Sequence, residues 1–248
     1  MKSIQRLPFR AVLAAILCNI LFGSASPAIK LGYELFSITD GVFVKILFAG
    51  VRFFISGIMV FVFSMVKSRT LPRPAKGNIL TVVGVGLIYT ALQYIFYYIG
   101  LSNTSGASGS IVSSVSVFIA VIAAHFIYPD DKINSRKIVG SVIGFLGITF
   151  AVLANGKVSG FSLFGEGFIV IASTCFVFGS VLNKKAGVKN DSFVVTAYNL
   201  LIGGLVLILL GIFGSAEFDT VTFSGILVLL YLSMVSAVGF TIWSSLVR

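Results

Sequence analysis

The sequence of 248 residues contains little charge. Asp, Glu, Lys and Arg make up 10% of it, against about 25% in ordinary soluble domains. Hydrophobic residues make up 57%, and the mean hydropathy is +1.07. A water-soluble globule needs a polar surface that this composition does not supply. The composition therefore all but excludes a soluble enzyme, a nucleic-acid-binding module and a disordered chain.

The residues that build metal centres and catalytic sites are also scarce. The two cysteines, Cys18 and Cys175, lie inside apolar runs and form neither a disulfide framework nor a metal-ligand spacing. His125 is the single histidine, and no acidic residue lies in the middle of an apolar run. An intramembrane enzyme would need a nucleophile with a base or a pair of carboxylates, so we expect no catalytic residue, no cofactor and no metal.

Long apolar runs are the dominant feature of the chain, and their lengths suit membrane helices, which need about 17–25 apolar residues. The second run is interrupted by Lys45 and Arg52, and the sixth has Glu166 near its start, whereas the others are free of charge. The run 77–128 is too long for one crossing, and its polar patch SNTSG at 102–106 predicts a turn between two helices. The runs predict eight membrane helices, with the following approximate bounds: 11–29, 42–65, two within 77–128, 138–154, 164–183, 193–213 and 222–247. A cleaved signal peptide is the alternative for the first run.

The basic residues predict the orientation, because cytoplasmic loops retain Lys and Arg. With eight crossings, both termini and the even-numbered loops share one side. That side holds fourteen Lys and Arg, whereas the loops of the other side hold only Lys157. We therefore expect a multi-pass protein of the cytoplasmic membrane with both termini in the cytoplasm. The net charge of +10 is a signal of topology, and we expect no nucleic acid partner.

An internal repeat is visible in the apolar runs. LFGS at 21–24 recurs as VFGS at 177–180, while ISG at 55–57 and IL at 79–80 match IGG at 202–204 and IL at 226–227, 147 residues further on. Five crossings separate the first and sixth helices, so the two copies have opposite orientations. This predicts an all-α polytopic membrane protein built from an inverted-topology repeat of five helices each.

The repeat also sets an expected length. The first copy covers 1–154 with helices one to five, and the second covers 163–248 with helices six to eight. Completing the second copy would need helices nine and ten, so eight of an expected ten helices are present. This predicts either a transporter or, as the alternative, a truncated, non-transporting fragment or a subunit that needs a partner.

Several strings resemble the EamA-like group of the drug/metabolite transporter superfamily. They are LFGSASPAIK at 21–30, RFF at 52–54, YYIGL at 97–101 and SGA at 105–107. The resemblance implies a ten-helix, five-plus-five inverted repeat that exports or imports small metabolites. The partners it implies are a small-molecule metabolite and the lipid bilayer, and we keep a homodimer as a further option.

Polar residues inside the apolar runs are the candidate pathway residues, because charge in a bilayer is costly and usually faces the bundle interior. Arg52 lies about ten residues into the second helix, near mid-bilayer. It either attracts an anionic group of the substrate or is a structural residue held by carbonyls of a neighbouring helix.

A polar and aromatic stripe on the third helix is the second candidate. Tyr89, Gln93 and Tyr97 share one helical face with Phe96. The eighth helix has Ser236, Phe240, Trp243 and Ser244 at the matching positions. The two stripes either line a shared cavity or pack at helix interfaces. The serines at 113, 114 and 116 are interpreted first as packing residues and second as substrate contacts.

The first helix adds Asn19 and Ser26 on one face, with Pro27 beyond them. Proline removes a backbone hydrogen bond, so Pro27 is expected to kink this helix, as a gating element or as a static bend. His125 and Glu166 lie near opposite ends of the membrane segments, and they do not suggest a proton relay.

Overall fold

The computed structural model describes residues 9–38, 41–153 and 162–247. Within these ranges it contains ten α-helices, two π-helical segments and no strand. The helices are α1 (Phe9–Leu35), α2 (Val42–Ser68), α3 (Ile79–Val85), α4 (Gln93–Ser102), α5 (Gly106–Ser113), α6 (Ser116–Ile127), α7 (Ser135–Leu153), α8 (Phe168–Gly187), α9 (Ser192–Phe213) and α10 (Phe223–Val247). The π-helical segments are Gly86–Leu92, between α3 and α4, and Leu163–Gly167, before α8.

The all-helical class is confirmed. Seven segments of the described residues are long and apolar enough to cross a membrane: Ala11–Leu35, Val42–Ser68, Ile79–Ser102, Ser108–Ile127, Leu163–Gly187, Ser192–Phe213 and Phe223–Leu246. The helix α7 overlaps the remaining expected segment, whose last residue lies outside the described residues. The count of eight crossings, and of ten in a complete repeat, stays a prediction.

The turn predicted at 102–106 is present. The helix α4 ends at Ser102, and α5 begins at Gly106 after Ser105, whose hydroxyl accepts a hydrogen bond from the backbone N–H of Ser108 at 3.1 Å. A serine at this position satisfies one of the free N–H groups of the first helical turn.

The fourth expected helix is present as the span Ser108–Ile127, with a short interruption between α5 and α6 that the sequence analysis did not predict. The Ser113 hydroxyl donates to the carbonyl of Gly109 at 2.7 Å, and the Ser114 hydroxyl donates to that of Ile111 at 2.6 Å. Serine hydroxyls that bond to preceding carbonyls compete with the helical hydrogen bonds and bend the helix.

The chain divides into two compact units. The first unit consists of Met1–Gly86 and Leu182–Arg248, and the second consists of Leu87–Val181. The repeat boundaries at 154 and 163 follow from sequence correspondence, and this division does not test them.

In the first unit, α2 and α9 cross at very short range. A Cβ atom at Gly57 would lie 2.7 Å from the backbone nitrogen of Leu201, and one at Gly204 would lie 2.5 Å from that of Phe54. Small residues allow membrane helices to approach until their backbones touch. The helix α10 packs against α1 and α2, and Phe36, Phe48, Leu232 and Val235 belong to the buried core between these helices.

In the second unit, glycines hold the part of α8 before Leu182 and the preceding π-helical segment close to residues 87–102. A Cβ at Gly100 would lie 2.8 Å from the carbonyl oxygen of Gly165, and one at Gly179 would lie 2.5 Å from the Cβ of Tyr89. These approaches bring the polar face of α4 next to α8.

Gly204→Ala is expected to lower the stability of the first unit by about 1–3 kcal/mol, because the added methyl group forces α2 and α9 apart. The matched control is Gly23→Ala in α1, where a Cβ meets nothing within 4 Å. Alanine is the better helix former, so the control should keep or raise the midpoint of thermal unfolding in detergent. Equal midpoints for the two variants would show that the α2–α9 crossing is loosely packed.

Candidate functional site

A π-helical segment interrupts the third membrane span. Gly86–Leu92 lies in the middle of Ile79–Ser102, and Gln93 follows it directly. Single π-helical turns within α-helices are frequent at functional sites. Gln93 and Tyr97 lie on one face of the helix α4 that follows this segment.

A cavity of about 180 Å³ lies in the second unit, beside this face of α4. Four helices contribute to its wall. The lining residues are Gln93 and Tyr97 from α4, Ser113 from α5, Ser116 from α6, and Ala172, Ser173 and Phe176 from α8.

Four polar side chains in this wall have no hydrogen-bond partner among the described residues: Gln93, Tyr97, Ser116 and Ser173. Ser173 is buried, with 6% of its surface exposed. The hydroxyl of Ser113 donates to Gly109 at 2.7 Å and retains its lone pairs for a further partner. The described residues that line the cavity include no charged side chain.

The structure divides the predicted stripe of the third helix. Gln93 and Tyr97 line the cavity, whereas Tyr89 is 2% exposed and packs against Phe176 with ring centroids 5.4 Å apart. The π-helical segment contains Tyr89 and ends before Gln93, so α-helical spacing does not relate the two residues.

Sequence reasoning missed Ser173 and Phe176. It interpreted Ser113 and Ser116 first as packing residues and only second as substrate contacts. Ser173 is one small polar residue within a long apolar run, and Phe176 is one phenylalanine of 24. The serines of α5 and α6 carried a usable signal, because their clustering next to a predicted turn is unusual in an apolar segment.

Arg52 lies in the interior of the first unit and is 5% exposed. Its Nε donates to the hydroxyl of Ser236 at 3.0 Å, and its guanidinium lies 4.6 Å from the ring centroid of Phe53. Among the described residues the single ion pair joins Lys137 to Asp131, so Arg52 has no acidic partner there. No carbonyl of the described residues accepts a hydrogen bond from its guanidinium, and both the substrate and the structural interpretation of this arginine stay predictions.

The other predicted residues of the first unit lie in two places. Phe240 is buried between Phe22 and Phe53, at centroid distances of 5.7 and 5.9 Å. Asn19 and Trp243 line an open groove between α1 and α10, where the Asn19 amide donates to the carbonyl of Ala15 at 2.8 Å.

The helix α1 continues through Pro27, which is exposed. Ser26 lies in the same helix, and its side chain falls outside what the structure describes. The gating role of Pro27 and the substrate contact of Ser26 therefore stay predictions.

A buried polar network in the first unit joins α8, α9 and α10. The Asn183 amide donates to the Ser244 hydroxyl at 3.1 Å, and the Thr196 hydroxyl donates to the same group at 3.1 Å. Sequence reasoning placed Ser244 on the stripe of the eighth helix but missed Asn183 and Thr196. Isolated polar residues in apolar segments are the signal that could have identified both.

Glu166 is buried and holds the start of α8 rather than lining the cavity. Its carboxylate accepts hydrogen bonds from the Thr104 hydroxyl and, at 2.8 Å, from the backbone N–H of Ser162. His125 accepts from the N–H of Ile133 at 3.2 Å, near the end of α6. In the described part of the chain, no three His, Cys, Asp or Glu side chains come together as a metal site would require.

The helices and the interior polar groups define a multi-pass integral membrane protein. The sequence profile of the EamA-like transporter family matches residues 9–153, which is more than half of the chain. The chain therefore belongs to the EamA-like transporter family, as its sequence strings indicated.

Its relatives carry the same general description. An uncharacterized transporter of Archaeoglobus fulgidus is 27% identical over 181 residues, which cover 71% of this chain and 61% of that protein. The uncharacterized inner membrane transporter YedA of Escherichia coli is 27% identical over 96% of this chain and 73% of its own length. A solved crystal structure, 17% identical, superposes with a TM-score of 0.76 over 95% of this chain and 78% of that one, which supports the fold.

Proposed function

We propose that this chain is a secondary-active or facilitative transporter of small organic metabolites, for export or import, that works by alternating access between two inverted repeats. The main observation that supports the proposal is the cavity beside Gln93. Polar groups without a protein partner are costly inside a membrane and mark solute pathways. Four such groups meet there, directly after a π-helical interruption of a membrane span. The described lining residues of the cavity offer hydrogen-bonding groups beside an aromatic ring, an arrangement that suits the binding of a passing solute.

The helix pairings support the inverted repeat. In the first unit, α1 packs on α10, which pairs the first helix of one copy with the third helix of the other. In the second unit, the rings of Phe168 in α8 and Phe96 in α4 lie 5.5 Å apart, which is the reciprocal pairing. The helices α2 and α9 are the second helices of the two copies, and Gly57 and Gly204 occupy equivalent positions at their crossing. A two-fold relation between the copies produces this set of contacts.

The proposed pathway residues fall into two groups. Gln93 and Tyr97 bind solute in the cavity of the second unit, with Tyr89 supporting its Phe176 wall. In the first unit the proposed residues are Arg52, Phe240, Asn19, Trp243 and Ser26, with Pro27 as a gating kink. We further propose cytoplasmic termini, on the basis of the distribution of Lys and Arg.

Reconstitution in liposomes tests the transport function. The purified chain should accelerate the exchange of a labelled metabolite when the same unlabelled metabolite is present inside, and the rate should saturate. Because the matches span 61% and 73% of the two relatives, a version extended with the part of YedA that the match does not cover is assayed in parallel. Exchange by the extended version alone would favour a partner-requiring subunit or fragment. If neither version exchanged any metabolite of a broad panel, the proposal would be contradicted.

A further inference from the structure

The cavity beside Gln93 has the size and the chemistry for one class of ligand. We propose that it binds an uncharged small molecule, or the uncharged part of a larger one, that carries several hydroxyl or carboxamide groups. This inference rests on the transport function proposed above and names the substrate class of the same site.

The volume limits the ligand. The cavity measures about 180 Å³, and an apolar protein cavity of about 150 Å³ holds one benzene molecule. A ligand, or the part of it that enters, therefore has roughly six to eight non-hydrogen atoms.

The polar groups of the wall both donate and accept hydrogen bonds. The Gln93 amide offers two N–H donors and a carbonyl acceptor, and each hydroxyl of Tyr97, Ser116 and Ser173 offers one donor and two lone pairs. Hydroxyl and carboxamide groups match this mixture, because they also donate and accept. A carboxylate only accepts and an ammonium group only donates, so either would leave part of the wall unpaired.

Charge is unfavourable in this cavity for a second reason. The cavity is open on one side and Gln93, Tyr97 and Ser116 are half-buried, so an ion that enters loses part of its hydration, which is costly unless an opposite charge compensates. The described lining residues provide no such charge. The ring of Phe176, packed against Tyr89, supplies an apolar wall for the carbon skeleton of the ligand.

Four probes with equal numbers of non-hydrogen atoms test the proposed class. Erythritol and succinamide are uncharged, threonine is a zwitterion and succinate is a dianion. In equilibrium dialysis with the full chain in detergent, erythritol and succinamide should bind at least about tenfold more tightly than the other two. Threonine or succinate binding as tightly as erythritol, or no binding of either neutral probe, would overturn the inference.

A comparison of two variants tests whether erythritol binds in this cavity: Ser173→Ala changes its wall, and Thr174→Val is the matched control. Both variants remove one hydroxyl from neighbouring positions of α8, but the Thr174 hydroxyl donates to the carbonyl of Val170 at 2.8 Å and does not line the cavity. Ser173→Ala should weaken erythritol binding about 3–10-fold, the value of one hydrogen bond, and Thr174→Val should leave it unchanged. Ser116→Ala is the second variant if Ser173→Ala does not fold. Equal effects of the cavity and control variants would place the ligand elsewhere.

The two proposals fail separately. Exchange of charged metabolites by a chain that binds neither neutral probe would overturn the substrate class and leave the transport function intact. Specific binding of erythritol without exchange of any solute would support the class and contradict transport.

Discussion

Arg52→Met is expected to reduce solute exchange at least about tenfold while the midpoint of thermal unfolding stays the same or rises. The guanidinium is buried, without an acidic partner in the described ranges, and its Nε bonds only to Ser236. An uncompensated buried charge opposes folding, so a neutral side chain of similar length removes that cost. Hydrogen bonds from a charged donor to a solute contribute about 1.5–3 kcal/mol, or about 10–150-fold in rate or affinity.

Ser236→Ala is the control for this prediction, because it removes the partner of Nε and keeps the charge. Its effect on exchange should be smaller than that of Arg52→Met. If Arg52 instead only stabilises the contact between α2 and α10, the opposite pattern is expected. Arg52→Met then lowers the midpoint of thermal unfolding and leaves the exchange per folded molecule unchanged. That outcome would remove Arg52 from the pathway.

Deletion of Leu87 is expected to weaken erythritol binding and to slow exchange. Leu87 lies in the π-helical segment Gly86–Leu92 and is 39% exposed. A π-helical turn holds one residue more than an α-helical turn, so removing Leu87 lets the segment return to α-helical spacing with little rotation of the face of Gln93 and Tyr97. Tyr89 lies inside the segment, turns relative to Gln93 and loses its packing against Phe176, which leaves that wall of the cavity unsupported.

Leu87→Ala retains the number of residues and serves as the control, with binding expected to be unchanged. Circular dichroism and the thermal midpoint establish that the deletion variant is folded. A folded deletion variant that binds erythritol as tightly as the unmodified chain would show that the π-helical segment does not position the cavity.

The membrane helices could be predicted from sequence because the thickness of the bilayer sets a minimum number of consecutive apolar residues, which is visible in the sequence. The runs beginning at 42, 193 and 222 correspond within one residue to the starts of α2, α9 and α10. The turn at 102–106 was equally visible, because its polar residues interrupt an otherwise apolar run. These features depend on local composition alone.

The cavity could be predicted only in part. Gln93 and Tyr97 stood out as polar groups on one face of an apolar helix, and the structure places both in the same wall. The π-helical segment that separates them from Tyr89 has the sequence GLIYTAL, which is as apolar as its neighbours. Its geometry accompanies the close approach of Gly179 to Tyr89, a contact between residues far apart in sequence.

For Arg52, too, one property could be predicted from the sequence and another depends on tertiary packing. Its depth in the membrane follows from its position in the second apolar run. Its contact with Ser236 depends on the packing of α10 against α2, which the sequence does not reveal.

Access to the cavity from each side of the membrane tests the central claim most directly. Ser116→Cys places a thiol in the cavity wall of a chain whose Cys18 and Cys175 have been replaced by alanine, and Lys76→Cys and Glu217→Cys mark the sides that we propose to be cytoplasmic and outer. The account predicts that a membrane-impermeant thiol reagent modifies the Ser116→Cys variant from either side, and each marker from its own side only. Modification of the Ser116→Cys variant from one side alone, with both markers reacting as expected, would contradict it.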